Sequence, residues 1–210
     1  VVISEHCTVS MATGLVTAAK HRPLVPFIKM AYRRADAIVA VSEGVASAVR
    51  GIRGVNHDAI HVIHNPVHTD RIQALSKATV DHAWLQDASV PLIVSAGRLS
   101  REKNQGVLIR AVAEVHESIR VRLVILGEGT ERGQLESLVR ELSAEDYIAM
   151  PGWEPNPWAF MRGASVFVLS SEREGLPMVL LEAMACGTPV VSTDIAGPGE
   201  LLGDGTFGIL

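Results

Sequence analysis

Glu174 and Glu182 stand eight positions apart in residues 170–194, SSEREGLPMVLLEAMACGTPVVSTD. Glu174 precedes a helical run from Met178 to Ala185 and Glu182 lies inside it, so at helical rise the carboxylates are on the order of 12 Å apart. That is too wide for an acid/base pair, and it suits the two ends of one elongated, hydroxylated ligand. Gly175, Leu176, Pro177 and Met178 lead into the helix, where free backbone N–H groups and a partial positive charge would face an anion. Spacing alone favours a plainer account, with Glu174 a solvated loop carboxylate and Glu182 a polar position on a packed helix. Glu182 is flanked, however, by Val179, Leu180, Leu181, Ala183 and Met184. A carboxylate in so apolar a helix needs a partner, and a ligand is one.

A second group of candidates is Gly97-Arg98-Leu99-Ser100-Arg101-Glu102-Lys103-Asn104, which follows the apolar run 92–96. Gly97 permits close backbone approach, Arg98 can fork onto phosphate oxygens, and Lys103 adds a point charge before a helix expected to be capped by Asn104. Charged loops after strands are as often merely solvated. His6 follows the run VVIS, where parallel strands deliver ligand-binding residues, although a lone His is more often an ordinary loop residue. Gly127-Glu128-Gly129-Thr130-Glu131-Arg132-Gly133 approaches a dinucleotide-binding glycine pattern and misses it by one position. An NAD-binding reading is therefore weak. Trp153 is equally readable as a packing residue or as a wall of a site.

Elements must deliver these loops. Apolar strands are predicted at residues 1–4, 37–41, 60–63, 92–96, 122–126, 166–169 and 189–192, with helices at 26–34, 104–116, 131–142 and 177–185. This alternation predicts βαβ units and parallel sheets. His64-Asn65-Pro66-Val67 interrupts the pattern, and residues 70–89 are polar and poorly periodic, placing a boundary near 67. The reading is a first domain at 1–67, expected to lack its opening strands, and a second at 68–210, expected to lack a closing helix.

With 210 residues and 48% apolar side chains, the chain has ample material for burial. A net charge of −4 with scattered Lys and Arg gives no nucleic-acid footprint. Cys7 and Cys186 have no ligand spacing between them, so no metal site is expected, and a reducing, cytoplasmic compartment is. Lys29, Arg33 and Arg34, preceded by Lys20 and Arg22, give a mildly basic helix that could touch anionic lipid, although a solvated face explains it more simply.

E-G-L-P-M-V-L-L-E followed by A-M-A-C-G-T-P-V-V resembles the E-x7-E signature of retaining glycosyltransferases of the GT-B fold, specifically glycosyltransferase family 4. G-R-L-x-x-x-K-N, S-E-H-C-T-V-S, the residues 62–67 and the stretch 197–205 are similar to further family landmarks. The resemblance implies two Rossmann-like domains facing across a cleft, the first incomplete here, and transfer of a sugar from a UDP- or GDP-linked donor to a glycan or lipid-linked acceptor. Bacterial polysaccharide or glycolipid synthesis is the implied setting. Arg98 and Lys103 would hold the diphosphate, Glu182 the ribose, Glu174 the sugar hydroxyls and His6 would lie near the reacting centre. Gly97, Gly127, Gly129, Trp153 and residues 175–178 would line the donor cleft. The resemblance implies neither cofactor nor metal. It also implies front-face attack within an ion pair, whereas from the residues alone Glu174 remains the only candidate nucleophile. His64 is read as structural, and Glu200 as capping or orienting a helix start. The alternatives are a catalytically inert nucleotide-sugar-binding fragment and a GT-B sugar-nucleotide epimerase.

Overall fold

The computed structural model describes residues 1–6 and 25–210. Cys7, Lys20, Arg22 and most of the S-E-H-C-T-V-S segment lie outside the described residues. In chain order the elements are β1 (Val2–Glu5), α1 (Val25–Arg33), β2 (Ala37–Ala40), α2 (Glu43–Arg50), β3 (Ile60–Val62), α3 (Thr69–Ser76) and α4 (Ala83–Gln86). They continue with β4 (Leu92–Ala96), α5 (Gln105–Ser118), β5 (Arg122–Leu126), α6 (Arg132–Glu141) and β6 (Ile148–Gly152). The last are α7 (Pro157–Gly163), β7 (Val166–Leu169), α8 (Met178–Ala185), β8 (Val190–Ser192) and α9 (Ala196–Leu202).

Two parallel sheets result. The first has order β1-β2-β3 and the second β6-β5-β4-β7-β8. In the second sheet the chain builds outward from β4 through β5 to β6, then returns to the other side of β4 for β7 and β8. Strand order therefore reverses between β4 and β7, and a ligand crevice is expected at their carboxyl ends, lined by the loops that leave them. Those loops are residues 97–104 and 170–177.

The strands are apolar on both faces because helices cover both. One face of the second sheet packs Val94, Val124, Phe167 and Leu169 with Phe160, Met161 and Leu180, and the other packs Leu123 and Ile125 with Ile109, Leu135 and Val139. The core over the first sheet gathers Ile38, Ala40, Val45 and Val49, and it is completed by Leu176 from the loop after β7, with Met178 and Leu201 packed at its margin. The loop carrying Glu174 is thus wedged between the two sheets.

Polar contacts fix that wedge. Ser42, the N-cap of α2, accepts the Val45 N–H and donates its own hydroxyl to the Gly175 carbonyl at 2.8 Å. Glu200, on α9, accepts the backbone N–H groups of Glu43 and Gly44 at 2.8 and 3.4 Å and pairs with His64 Nε2 at 2.8 Å. The cap expected of Glu200 exists, and it sits on α2, 156 positions away in sequence from Gly44. Loss of a charged cap of this kind costs about 1 to 2 kcal/mol. Glu200→Ala should lower unfolding stability by that amount in denaturant titration, and Glu200→Gln should recover part of it.

Several expectations need correction. Residues 148–152 form an edge strand that is absent from the predicted strands. Pro151, which has no N–H to donate, is tolerated there, and the register against β5 shifts between Val124 and Leu126. Residues 70–89 carry α3 and α4, whose short polar sequences hide the stripe that packs Ile72 and Trp84 onto the second core. Asn104 occupies the N-cap position of α5 with a left-handed backbone, φ 49°, and its side chain makes no capping bond.

Candidate active site at the sheet reversal

The loops after β4 and β7 are bound to each other before they bind anything else. The Glu172 N–H donates to the Glu102 carbonyl at 2.8 Å, and Ser170 Oγ donates to the Lys103 carbonyl at 3.0 Å. Lys103 Nζ lies 2.5 Å from Glu174 Oε1, which also accepts the Ser171 hydroxyl at 2.7 Å. Both partners are largely withdrawn from solvent, at 23% and 12% exposure. A pair so shielded is screened little by salt and holds the loop geometry firmly. Arg98 is exposed, and among the described residues no carboxylate lies within ion-pair distance of its guanidinium.

These groups open onto a cavity of ≈ 630 Å³ that also reaches Gly97, Gly127, Trp153, Leu176, Pro177, Met178 and Glu182. A neighbouring cavity of ≈ 560 Å³ shares Arg98, Lys103 and Glu174 and adds His6 and Gly175. His6 comes from the first sheet, so this second space lies between the two sheets. Its ring accepts or donates at Ser4 Oγ, 2.9 Å away, and the preceding Glu5 carboxylate takes the hydroxyl of Tyr32.

Gly129 is the exception among the candidates. It is absent from the walls of both cavities, and a Cβ there would stand 2.1 Å from the Leu99 carbonyl oxygen. Its role is to let the β5–α6 turn cross the backbone of the Arg98 loop. Trp153 reaches the cavity with 70% of its surface exposed, so it is a wall and not a core residue.

Glu182 does have the partner its apolar surroundings demand. Trp158 Nε1 donates to its Oε2 at 3.0 Å. Burial pushes the Glu182 carboxyl pKa up, opposed by that N–H. A carboxyl raised in the folded state favours folding at low pH and loses that contribution as pH rises through the folded value. Glu182→Gln is therefore expected to raise the melting temperature at pH 7. The gain should shrink as pH falls below the ordinary carboxylate range, because the native side chain is then neutral in both states. Cys186, one turn further on, is 7% exposed, and burial followed by the Glu182 charge pushes its thiol pKa up, so it is no nucleophile.

Sequence reasoning missed Trp158, Ser171 and Ser42. The first two were detectable only as polar groups bracketing an apolar stretch, and the third only as a helix N-cap. Glu128 and Glu154 also line the larger cavity, and Arg132 grips Glu128 with two N–H groups at 2.7 and 2.8 Å. Among the described residues no group of three His, Cys, Asp or Glu could hold a metal ion, and no helix is long and apolar enough to cross a membrane.

The model of the family described as "Glycosyl transferases group 1" matches residues 77–210, and that of "Glycosyltransferase Family 4" matches residues 1–71. The chain belongs to the glycosyl transferases group 1 family. A curated relative from Campylobacter jejuni, N-acetylgalactosamine-N,N'-diacetylbacillosaminyl-diphospho-undecaprenol 4-alpha-N-acetylgalactosaminyltransferase, is 35% identical over 184 residues, 87% of this chain and 48% of its own. The lipopolysaccharide core biosynthesis glycosyltransferase LpsE of Rhizobium meliloti is 36% identical over 179 residues, 85% of this chain and 50% of its own. The chain thus spans about half the length of these curated relatives. The solved structure of Anabaena Alr3699/HepE in complex with UDP matches with TM-score 0.82 and 23% identity, covering 100% of this chain and 57% of that one. The α/β architecture with two parallel sheets is that of GT-B glycosyltransferases.

Proposed function

We propose that the protein is a retaining glycosyltransferase that moves a hexosyl group from a nucleotide diphosphate sugar to an acceptor hydroxyl. One observation carries this reading: Arg98 and Lys103, Glu174, the start of α8 and Glu182 meet in a single cavity where strand order reverses. The diphosphate would lie against Arg98, Lys103 and the first amides of α8, charges already in place before the bond breaks. Glu182 would accept the ribose hydroxyls, with Trp153 beside the base. The sugar would extend into the second cavity, toward Glu174 and His6.

In the transfer, the acceptor oxygen bonds to the anomeric carbon while the bond to the phosphate oxygen breaks, its electron pair remaining on the diphosphate. The departing phosphate takes the acceptor proton on the same face. A covalent role for Glu174 is disfavoured because its Oε1 already accepts an ammonium and a hydroxyl, which lowers its nucleophilicity. The two curated relatives support bacterial lipopolysaccharide or glycan synthesis as the setting, with a glycan or lipid-linked acceptor. Exposed Phe27 and Met30 beside Lys29 on α1 support contact with an anionic membrane surface.

Calorimetric titration with UDP and GDP, followed by assay of donor hydrolysis and glycosyl transfer, tests the reading. One nucleotide should bind and its hexose conjugate should turn over. Binding without turnover would make the protein a nucleotide-sugar-binding module, and binding of neither nucleotide would overturn the reading altogether.

A further inference from the structure

Trp158 is the second residue of α7, directly after Pro157, and its ring packs at the margin of the core beneath β4 and β7. It is not among the residues that line the donor cavity. Its indole N–H nevertheless reaches into the site at one remove, through the 3.0 Å bond to Glu182 Oε2. Cys186 Sγ donates weakly to the Trp158 carbonyl at 3.6 Å, so the α8 segment that carries Glu182 is tied to the start of α7 at two points.

We propose that Trp158 is a positioning residue that fixes the Glu182 carboxylate so that Oε1 is presented to the vicinal hydroxyls of the donor's ribose. The inference rests on the reading that Glu182 holds the ribose. A glutamate has three rotatable side-chain torsions, and an unanchored one must be ordered anew whenever a ligand binds. An indole N–H is a donor with no acceptor capacity, so it can occupy only one lone pair of Oε2 and cannot compete for the hydroxyl donors of a diol. With Oε2 held, Oε1 and the second lone pair of Oε2 remain for two O–H donors. Packing of the indole body makes the anchor rigid, which a flexible polar side chain at the same place could not do. The same N–H opposes the effect of burial on Glu182 and so favours its charged form, which accepts hydroxyls most strongly.

The test is titration of the protein and its Trp158→Phe variant with UDP, GDP and the 2′,3′-dideoxy form of each. Phenylalanine keeps most of the packing and removes only the donor. For whichever nucleotide binds more tightly, the unsubstituted protein should prefer the ribose form over the dideoxy form by about ten-fold or more. Trp158→Phe should weaken the ribose form by roughly five- to ten-fold and leave the dideoxy form unchanged. Adding Trp158→Phe to Glu182→Gln should then cost nothing beyond Glu182→Gln alone.

Equal weakening of both forms by Trp158→Phe would mean a purely structural role and would overturn the inference while leaving the function intact. Absence of ribose preference in the unsubstituted protein would overturn the role of Glu182, and the inference with it. If Trp158→Phe does not fold, the three tryptophan indole N–H signals of the unsubstituted protein decide. The Trp158 signal, assigned by Trp84→Phe and Trp153→Phe, should move on adding the ribose form and stay in place with the dideoxy form. Movement with both, or with neither, counts against the proposal.

Discussion

Lys103→Ala is expected to lower kcat/KM for glycosyl transfer by about 10²- to 10³-fold, or roughly 3 to 4 kcal/mol of transition-state stabilisation. The size follows from where the ammonium sits. Lys103 is 23% exposed, and its partner Glu174 is 12% exposed, so little water stands ready to take over either charge. In the proposed transfer, negative charge would grow on the diphosphate as the bond to the sugar breaks, and a preplaced cation would favour that state over the intact donor. The loss should therefore fall mainly on kcat, with nucleotide affinity weakened less. Alanine would also deprive the Glu174 carboxylate of its ammonium beside the proposed phosphates, where it would repel them. Consequently Lys103→Ala combined with Glu174→Gln should recover nucleotide affinity relative to Lys103→Ala alone, although not the full rate. Lys103→Arg keeps the charge but replaces a compact ammonium with a planar fork of different reach and geometry, and an intermediate rate is expected. Unaltered kinetics in Lys103→Ala would remove the diphosphate from this loop.

The chain disclosed its strands where they are buried on both faces. Residues 92–96, 122–126 and 166–169 are mainly apolar runs with abrupt ends, and the structure ends them at those residues. Helix α8 was equally legible, because Gly187 just beyond it, at φ 78°, is a stop signal that only glycine accepts readily. What failed were elements whose stability is tertiary. Helix α9 is absent from the predicted helices because Gly197, Pro198 and Gly199 fall in its first turn, yet the missing Pro198 N–H is harmless there and Gly197 lets α9 sit against the loop at Gly175. Helix α7 is a seven-residue element opened by Pro157. Overlooking it meant overlooking Trp158, the residue that answers the question Glu182 posed in the sequence. The Lys103–Glu174 contact was likewise out of reach: the two residues are 71 positions apart, and only the return of the chain to the far side of β4 makes their loops neighbours.

The second large effect concerns the backbone beneath the cation loop. Gly127 has φ 135°, and a Cβ built on it would lie 1.9 Å from the Gly97 carbonyl oxygen. Gly97 and Gly127 are joined into the sheet above the carboxyl ends of β4 and β5, through Gly97 N–H to the Leu126 carbonyl at 2.9 Å and Gly127 N–H to the Gly152 carbonyl at 2.7 Å. Neither partner can retreat without surrendering a backbone hydrogen bond. Gly127→Ala thus combines a disfavoured dihedral with a clash against main chain, and a cost of about 4 kcal/mol or more is expected. For a chain of this size that is on the order of 10 °C in melting temperature. Gly133 supplies the control, since nothing lies within 4 Å of a Cβ there and it occupies the first turn of α6. Gly133→Ala should leave stability unchanged or raise it by up to about 1 kcal/mol. Thermal unfolding followed by circular dichroism compares the two directly. The glycine pattern predicts equal effects if these residues serve only a flexible turn. A large loss confined to Gly127→Ala, accompanied by weakened nucleotide binding, is the outcome required if the backbone crossing under Gly97 is what aims Arg98 into the cleft.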